Sequence, residues 1–223
     1  MSNSPRAIEI PDVVPLFALP KLVLFPAAVI PLHIFEDRYR KMTADVLETH
    51  KQIAMALLKP GWEKDYYGKP VVEEVVCVGQ ILSHERLSDG RYNFLLQGKA
   101  RARIKREVGD EPYRQAIVEL LPEINSLEAD LSLARQCLVK LFEREAFAAL
   151  PGGGQIREML TSDVPTAIVA DLLAFRVLPE DQVELKQSLL AEQDVKNRVW
   201  RIVEAIAALR PAWQNIPENA ELN

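Results

Sequence analysis

The feature that most constrains this chain is a change of apolar period at Pro122. Before it, apolar and β-branched residues come in short runs: VVPLFAL (13–19), QIAMALL (52–58), VVEEVVCVGQIL (71–82), RYNFLLQ (91–97), ARARIKREV (100–108) and YRQAIVELL (113–121). Turn residues in KPGW, SDGR and GDEP separate them, and Asp89-Gly90 predicts a tight I′-type hairpin, since glycine takes the positive φ such a turn needs. Many short strands at this spacing predict a closed or nearly closed barrel. After Pro122 the apolar residues recur at three- and four-residue steps, the period of a helix. The expected class is α+β. A mostly antiparallel β-barrel over residues 1–122 precedes an α-helical bundle over 123–213 and a flexible polar tail over 214–223.

One helix interrupts the strands. From Phe35, the positions Tyr39, Met42, Val46 and Leu47 form an apolar stripe, while Glu36 and Asp37 fall in the first turn, where the helix dipole favours negative charge. The segment before it, LFPAAVIPLHI (24–34), holds Pro26 and Pro31, which favour extended chain and oppose regular ladder pairing. It is expected to wrap the barrel as a connection, with Leu24, Phe25, Val29 and Ile30 mostly in the core. In the second half, Asn125 and Glu128 stand in capping-box positions ahead of a stripe from Leu127 to Phe142, and PGGGQ (151–155) reads as a helix break. Further helices are expected to start at Pro165, at Pro179 and after Asp194.

Several function classes are excluded. The longest apolar stretch, Val13 to Ile34, is cut by four prolines and a lysine, so no bilayer-spanning helix and no signal peptide is expected, and the protein is placed in the cytoplasm. Cys77 and Cys137 lack CxxC spacing, and His33, His50 and His84 are scattered, so neither a metal nor a cofactor is expected. There is no GxxxxGK[ST] loop, no GxSxG elbow and no SxxK pair, so no catalytic residues are assigned. The net charge is −5, and residues 123–223 carry 10 Lys+Arg against 16 Asp+Glu, a balance that disfavours general nucleic-acid binding.

Two local patterns remain. GWEKDYYGK (61–69) carries Trp62, Tyr66 and Tyr67 between two glycines, either as exposed anchors for a partner or as aromatics folded back onto the barrel rim. In GKARARIKR (98–106), Lys99, Arg101, Arg103 and Lys105 alternate with Ala100, Ala102 and Ile104, which puts four cations on one strand face. That face suits phosphate or acidic peptide. The plainer reading is a solvated face paired with carboxylates such as Glu73, Glu85 or Glu119.

The string VPLFALPKLVLFPAAVIPLHIFEDRYRKM, followed by VGQIL, DGRYNFLLQGKARARI and PYRQAIVELL, closely resembles the N-terminal substrate-recognition domain of Lon proteases. ADLLAF and KQSLLAEQDVKNRVWRIVEAI resemble the helical part of the same domain, so the likeness runs from about Val13 to Leu209. The resemblance implies a PUA-like barrel followed by a helical bundle. It also implies a bacterial member of the ATP-dependent protease family that recognises unfolded or client polypeptides, with a Lon or other AAA+ protease as a further partner. The chain ends where Lon continues into its ATPase and Ser-Lys protease domains, so a stand-alone, non-catalytic binding module is expected, acting as adaptor or regulator in protein quality control. The peptide-contact candidates are Phe25, Phe35, Tyr39, Trp62, Tyr66 and Tyr67. The alternative is RNA binding through Lys99, Arg101, Arg103 and Lys105.

Overall fold

The computed structural model describes residues 9–109, 112–144 and 152–209, and the expected tail at 214–223 lies outside them. Six strands are present: β1 (Val13–Leu19), β2 (Val29–Ile34), β3 (Gln52–Leu57), β4 (Val75–Arg86), β5 (Tyr92–Val108) and β6 (Gln115–Leu120). Six α-helices are described, α1 (Asp37–Leu47), α2 (Glu128–Phe142), α3 (Gly153–Thr161), α4 (Thr166–Arg176), α5 (Val183–Ala191) and α6 (Val195–Ala208), with a 3₁₀ turn at Trp62–Asp65. The chain divides into two compact units. One holds the residues through Pro122 together with Glu180–Ala191, and the other holds Glu123–Pro179 and the residues from Glu192 onward.

In the first unit the sheet order is β2–β5–β4–β3–β1–β6, antiparallel throughout except for the parallel β1–β3 pair. RYNFLLQ and ARARIKREV are one 17-residue strand, β5, and this changes the barrel expected from the sequence. The first half of β5 lies between β2 and β4, whereas its second half leaves β4 for β6. At Ala102 and Arg103 β5 pairs with β4 and β6 together, so the sheet rolls round onto itself through the β5–β6 pairing, with β2 attached at its edge. The inside of the roll is tight: Ala18, Ala54, Ala56, Ala102 and Ala116 share it with Val14, Leu16, Val76 and Val78. Gly98 sits where β5 crosses the 25–28 segment, its N–H donating to the Ala28 carbonyl (2.9 Å) and its carbonyl accepting from the Ala27 N–H (2.9 Å). A Cβ there would collide with the Phe25 carbonyl and lie 3.0 Å from Cys77 Sγ.

β2 is the second correction. Val29–Ile34 does not wrap as a connection but pairs in regular antiparallel register with β5, Pro31 standing opposite Leu95. Proline is tolerated because β2 is, among the described residues, an edge strand with a neighbour on one side only. Leu24, Phe25 and Ile30 are buried as expected, but Val29 faces out. The β4–β5 hairpin also differs, since the loop runs from Leu87 to Arg91 and only Gly90 (φ 82°) takes a positive φ, where an I′ turn needs two such residues.

α1 forms where its stripe predicts, burying Tyr39, Met42 and Val46, with Leu47 half-buried. Glu36 is its N-cap residue, Asp37 lies in its first turn, and Arg40 Nε donates to the Gly90 carbonyl (3.0 Å), fixing the helix to the hairpin tip. α5 begins four residues after Pro179 and belongs to this same unit. Gln187 Nε2 donates to the Val75 carbonyl (2.8 Å), and Arg101 Nε on β5 donates to the Leu190 carbonyl (3.0 Å), placing a cation at the helix C-terminus where the dipole is negative.

In the second unit, α2 supplies both ends of its neighbours. Glu128 is no capping-box partner for its own helix, because Leu127 is the N-cap residue and Asn125 (φ 54°) instead donates to Asp194 Oδ2 (2.7 Å). Its carboxylate accepts from Thr166 N (2.7 Å) and Thr166 Oγ1 (2.6 Å), filling the orphan donors at the start of α4. Arg135 fans over the end of α3, donating to the carbonyls of Leu160 (2.9 Å), Val164 (2.6 Å) and Ser162 (2.6 Å). PGGGQ is more than a break: Gly152 (φ 79°) is an N-cap residue, and Gly153 opens α3. Asp194 caps α6 through Asn197 N (3.0 Å), as its position predicts.

Candidate functional site

The aromatic loop is anchored on α1. Tyr66 donates its hydroxyl to Glu36 Oε1 (2.6 Å), Arg38 pairs with Glu36 (3.0 Å) and donates to the Tyr66 carbonyl (3.2 Å), and its guanidinium lies 4.7 and 4.8 Å from the ring centres of Tyr39 and Tyr66. Burial first, and then the bond to Glu36, push the Tyr66 phenol up to about 12. Trp62 and Tyr66 stack edge-on at 5.4 Å and pack against the apolar interior of the roll, whereas Tyr67 is 90% exposed. Phe25 and Tyr39 are core residues, Tyr39 edge-on to Phe17 (4.4 Å) with its hydroxyl donating to the Ala18 carbonyl (3.0 Å). Of the six peptide-contact candidates, Phe35 and Tyr67 present large apolar surface.

The four cations of β5 do not share one face. Lys99 and Lys105 fall at the two bulges of the strand, and each bulge resets the alternation that a flat strand would keep. Arg101 is buried against α5 and only 3% exposed. Lys99 donates to Gln97 Oε1 (2.6 Å), Lys105 pairs with Glu119 at 2.5 Å, and Arg103 is exposed.

A more continuous feature lies on the outer face of β2, β5 and β4. Cross-strand register sets Pro31 beside Leu95 and Leu95 beside Ser83, with Val29 diagonal to Leu95. Leu82 is the extra residue of a bulge between Ile81 and Ser83. Val29, Leu82 and Leu95 are all exposed, and Phe35, 63% exposed, continues the patch through its ring contact with His33 (6.3 Å). Arg91 donates to His33 Nε2 (3.2 Å), which leaves the proton on Nδ1 to bond Asn93 Oδ1 (2.7 Å) and gives the patch a polar border. Sequence reading missed Val29, Leu82 and Leu95. The available signal was Leu82 itself, a second consecutive apolar residue in GQILSHER where strand alternation calls for a polar one.

The same unit holds a groove of about 870 Å³ between α5 and the ends of β3 and β4, with Trp62 at its lip. Leu57, Leu58, Val75 and Leu185 form its walls, and Glu63, Glu73, Glu74, Asp181 and Glu184 line it. Lys59, the one cation among the described lining residues, stands 3.8 Å from Glu73. Among the described residues no cluster of His, Cys, Asp or Glu could hold a metal ion, and no helix is long and apolar enough to cross a membrane.

Comparison with known proteins agrees with this architecture. Residues 13–208 match the ATP-dependent protease La (LON) substrate-binding domain. The chain is 26% identical over 206 residues to the Lon protease of Desulfosudis oleivorans, covering 89% of this chain and 24% of that protein. It is 30% identical over 203 residues to Lon protease 2 of Sorangium cellulosum, covering 87% and 24%. The chain thus spans about a quarter of the length of these relatives. Among solved structures, the Lon N-terminal domain protein from Xanthomonas campestris superposes with a TM-score of 0.62 at 25% identity, covering 86% of this chain and 97% of that one. The N-terminal domain of Mycobacterium avium complex Lon protease has the same fold, with a TM-score of 0.67 at 17% identity over 87% and 98% of the two chains. By its sequence match over nearly its whole length, the chain belongs to the Lon substrate-binding domain family.

Proposed function

We propose that this protein is a non-catalytic module that recognises unfolded polypeptide, working in the cytoplasm in protein quality control as an adaptor or regulator for a Lon or other AAA+ protease. The observation that carries the reading is the exposed apolar face of Val29, Phe35, Leu82 and Leu95 on a sheet whose edge strand β2, among the described residues, pairs on one side only. An unfolded chain differs from a folded one in offering apolar side chains on extended backbone, and this face meets both properties. Family membership in a substrate-binding domain supports the same reading. The RNA alternative is disfavoured by the burial of Arg101 and by the Lys105–Glu119 pair, which leave no continuous cationic strip.

The test is fluorescence anisotropy with a labelled, permanently unfolded polypeptide, with a labelled RNA measured beside it across a salt series. Binding to the polypeptide should survive salt, and the triple substitution Phe35→Ser, Leu82→Ser, Leu95→Ser should weaken it by about tenfold or more while leaving the fold intact. Unchanged affinity in that variant removes the apolar face, and salt-sensitive binding to RNA alone overturns the reading.

A further inference from the structure

We infer that the groove between α5 and the β3–β4 ends is a second polypeptide site, specific for an apolar residue flanked by lysine or arginine. This rests on the polypeptide-recognition reading above and adds a charge preference to it. The occupant follows from the groove's chemistry. Leu57, Leu58, Val75 and Leu185 give it apolar walls and Trp62 an aromatic lip, so its centre takes an apolar side chain. Around that centre stand five carboxylates against one lysine, and Lys59 is already turned toward Glu73.

Glu63, Glu74 and Glu184 are exposed, and among the described residues none of the three has an ion-pair partner. Lys186, on the opposite side of α5 from the solvent, feels Glu180 and Asp181 but does not line the groove. An anionic or acidic-flanked segment would meet like charge from Glu63, Glu74 and Glu184, while cationic flanks would meet complementary charge there. The volume of about 870 Å³ suits a few side chains, which is the size of an anchor and its neighbours rather than of a folded partner. The outer face of β2, β5 and β4 is apolar with a border of Arg91, His33 and Asn93, so the two sites would divide the work between general apolar capture and selection of cationic segments.

The test uses three labelled peptides built on one leucine–phenylalanine core, flanked by lysines, by glutamates or by serines, measured by anisotropy at low and physiological salt. The expected result is binding of the lysine-flanked peptide about tenfold or more tighter than the glutamate-flanked one at low salt, with the ratio shrinking as salt rises. Glu63→Gln, Glu74→Gln, Glu184→Gln should abolish that preference while leaving the serine-flanked peptide unaffected. Ala191→Trp, which fills the groove from an exposed position, should lose the lysine-flanked peptide selectively, with circular dichroism confirming an intact fold. Equal affinity for lysine and glutamate flanks, or a preference that survives the glutamine variant, overturns the groove while leaving polypeptide recognition standing. Failure of all three peptides and of the unfolded polypeptide overturns both.

Discussion

The Tyr66 hydroxyl donates to Glu36 Oε1 at 2.6 Å, joining the aromatic loop to the N-cap residue of α1. This bond makes two of the three loop aromatics part of the fold. Tyr66→Phe should cost about 1 kcal/mol of unfolding free energy by chemical denaturation, because it leaves Glu36 one partner short in a half-buried setting. Tyr67→Ala, at an exposed ring, should cost nothing measurable.

The same bond has a pH signature. The phenol rises to about 12 when folded, above its ordinary value of 10.0, so its contribution is complete below pH 10.0 and is lost as pH rises toward 12. The Tyr113 phenol, buried and bonded to Asp45, is pushed up to about 12 as well, so tyrosinate absorbance should show a phase near that value whose amplitude falls, without disappearing, in Tyr66→Phe. A wild-type titration with no such phase contradicts the assignment.

His50 works in the opposite direction. Burial holds its imidazole below the ordinary value of 6.5, so the unfolded chain binds the proton more readily than the folded one. Its contribution is present above 6.5 and is lost as pH falls through the folded value. His50 Nδ1 accepts from the Gln52 N–H (3.0 Å), and an asparagine oxygen can take over that bond. Melting temperature should therefore fall on going from about pH 7.5 to about pH 5.5, and fall less in His50→Asn.

In the helical unit, Arg198 is fully buried beside Asp171 (3.0 Å) and also donates to the Glu192 carbonyl (2.8 Å) and to Glu123. Arg198→Ala should destabilise the protein by about 3–5 kcal/mol, since it takes the buried guanidinium away from the buried Asp171 carboxylate. Replacing both charges, Arg198→Met with Asp171→Leu, should recover much of that loss. A single variant as stable as wild type shows that the pair contributes nothing.

Gly98→Ala tests the crossing of β5 with the 25–28 segment. The added methyl meets the Phe25 carbonyl and Cys77 Sγ, and no flexible side chain can yield there. A loss of about 2 kcal/mol or more is expected from denaturant midpoints.

Much of this architecture could be read from the residues because local preference and tertiary role agree in them. VVPLFAL is β1 from end to end, the Tyr39–Met42–Val46 stripe is the buried face of α1, and Asp194 caps α6. What escaped depends on partners distant in sequence. Pro31 argued against a ladder strand, yet an edge strand tolerates it, and the edge position of β2 is set by β5 some sixty residues on. The alternation of Lys99, Arg101, Arg103 and Lys105 assumed a flat strand, and the two bulges and α5 undo that assumption. The candidate surfaces escaped for the same reason. Leu82 and Leu95 are ordinary strand residues until register brings them together, and Glu63, Glu74 and Glu184 share a groove only after α5 folds back onto the sheet.

The most direct test of the central claim is hydrogen exchange of the full chain with and without saturating unfolded polypeptide. Polypeptide recognition by the apolar face predicts added protection concentrated in β2 and in the 82–95 part of the β4–β5 hairpin, and its absence in the Phe35→Ser, Leu82→Ser, Leu95→Ser variant. Bound polypeptide that leaves those amides unchanged, or protects only the second half of β5 around Arg103 and Lys105, contradicts it.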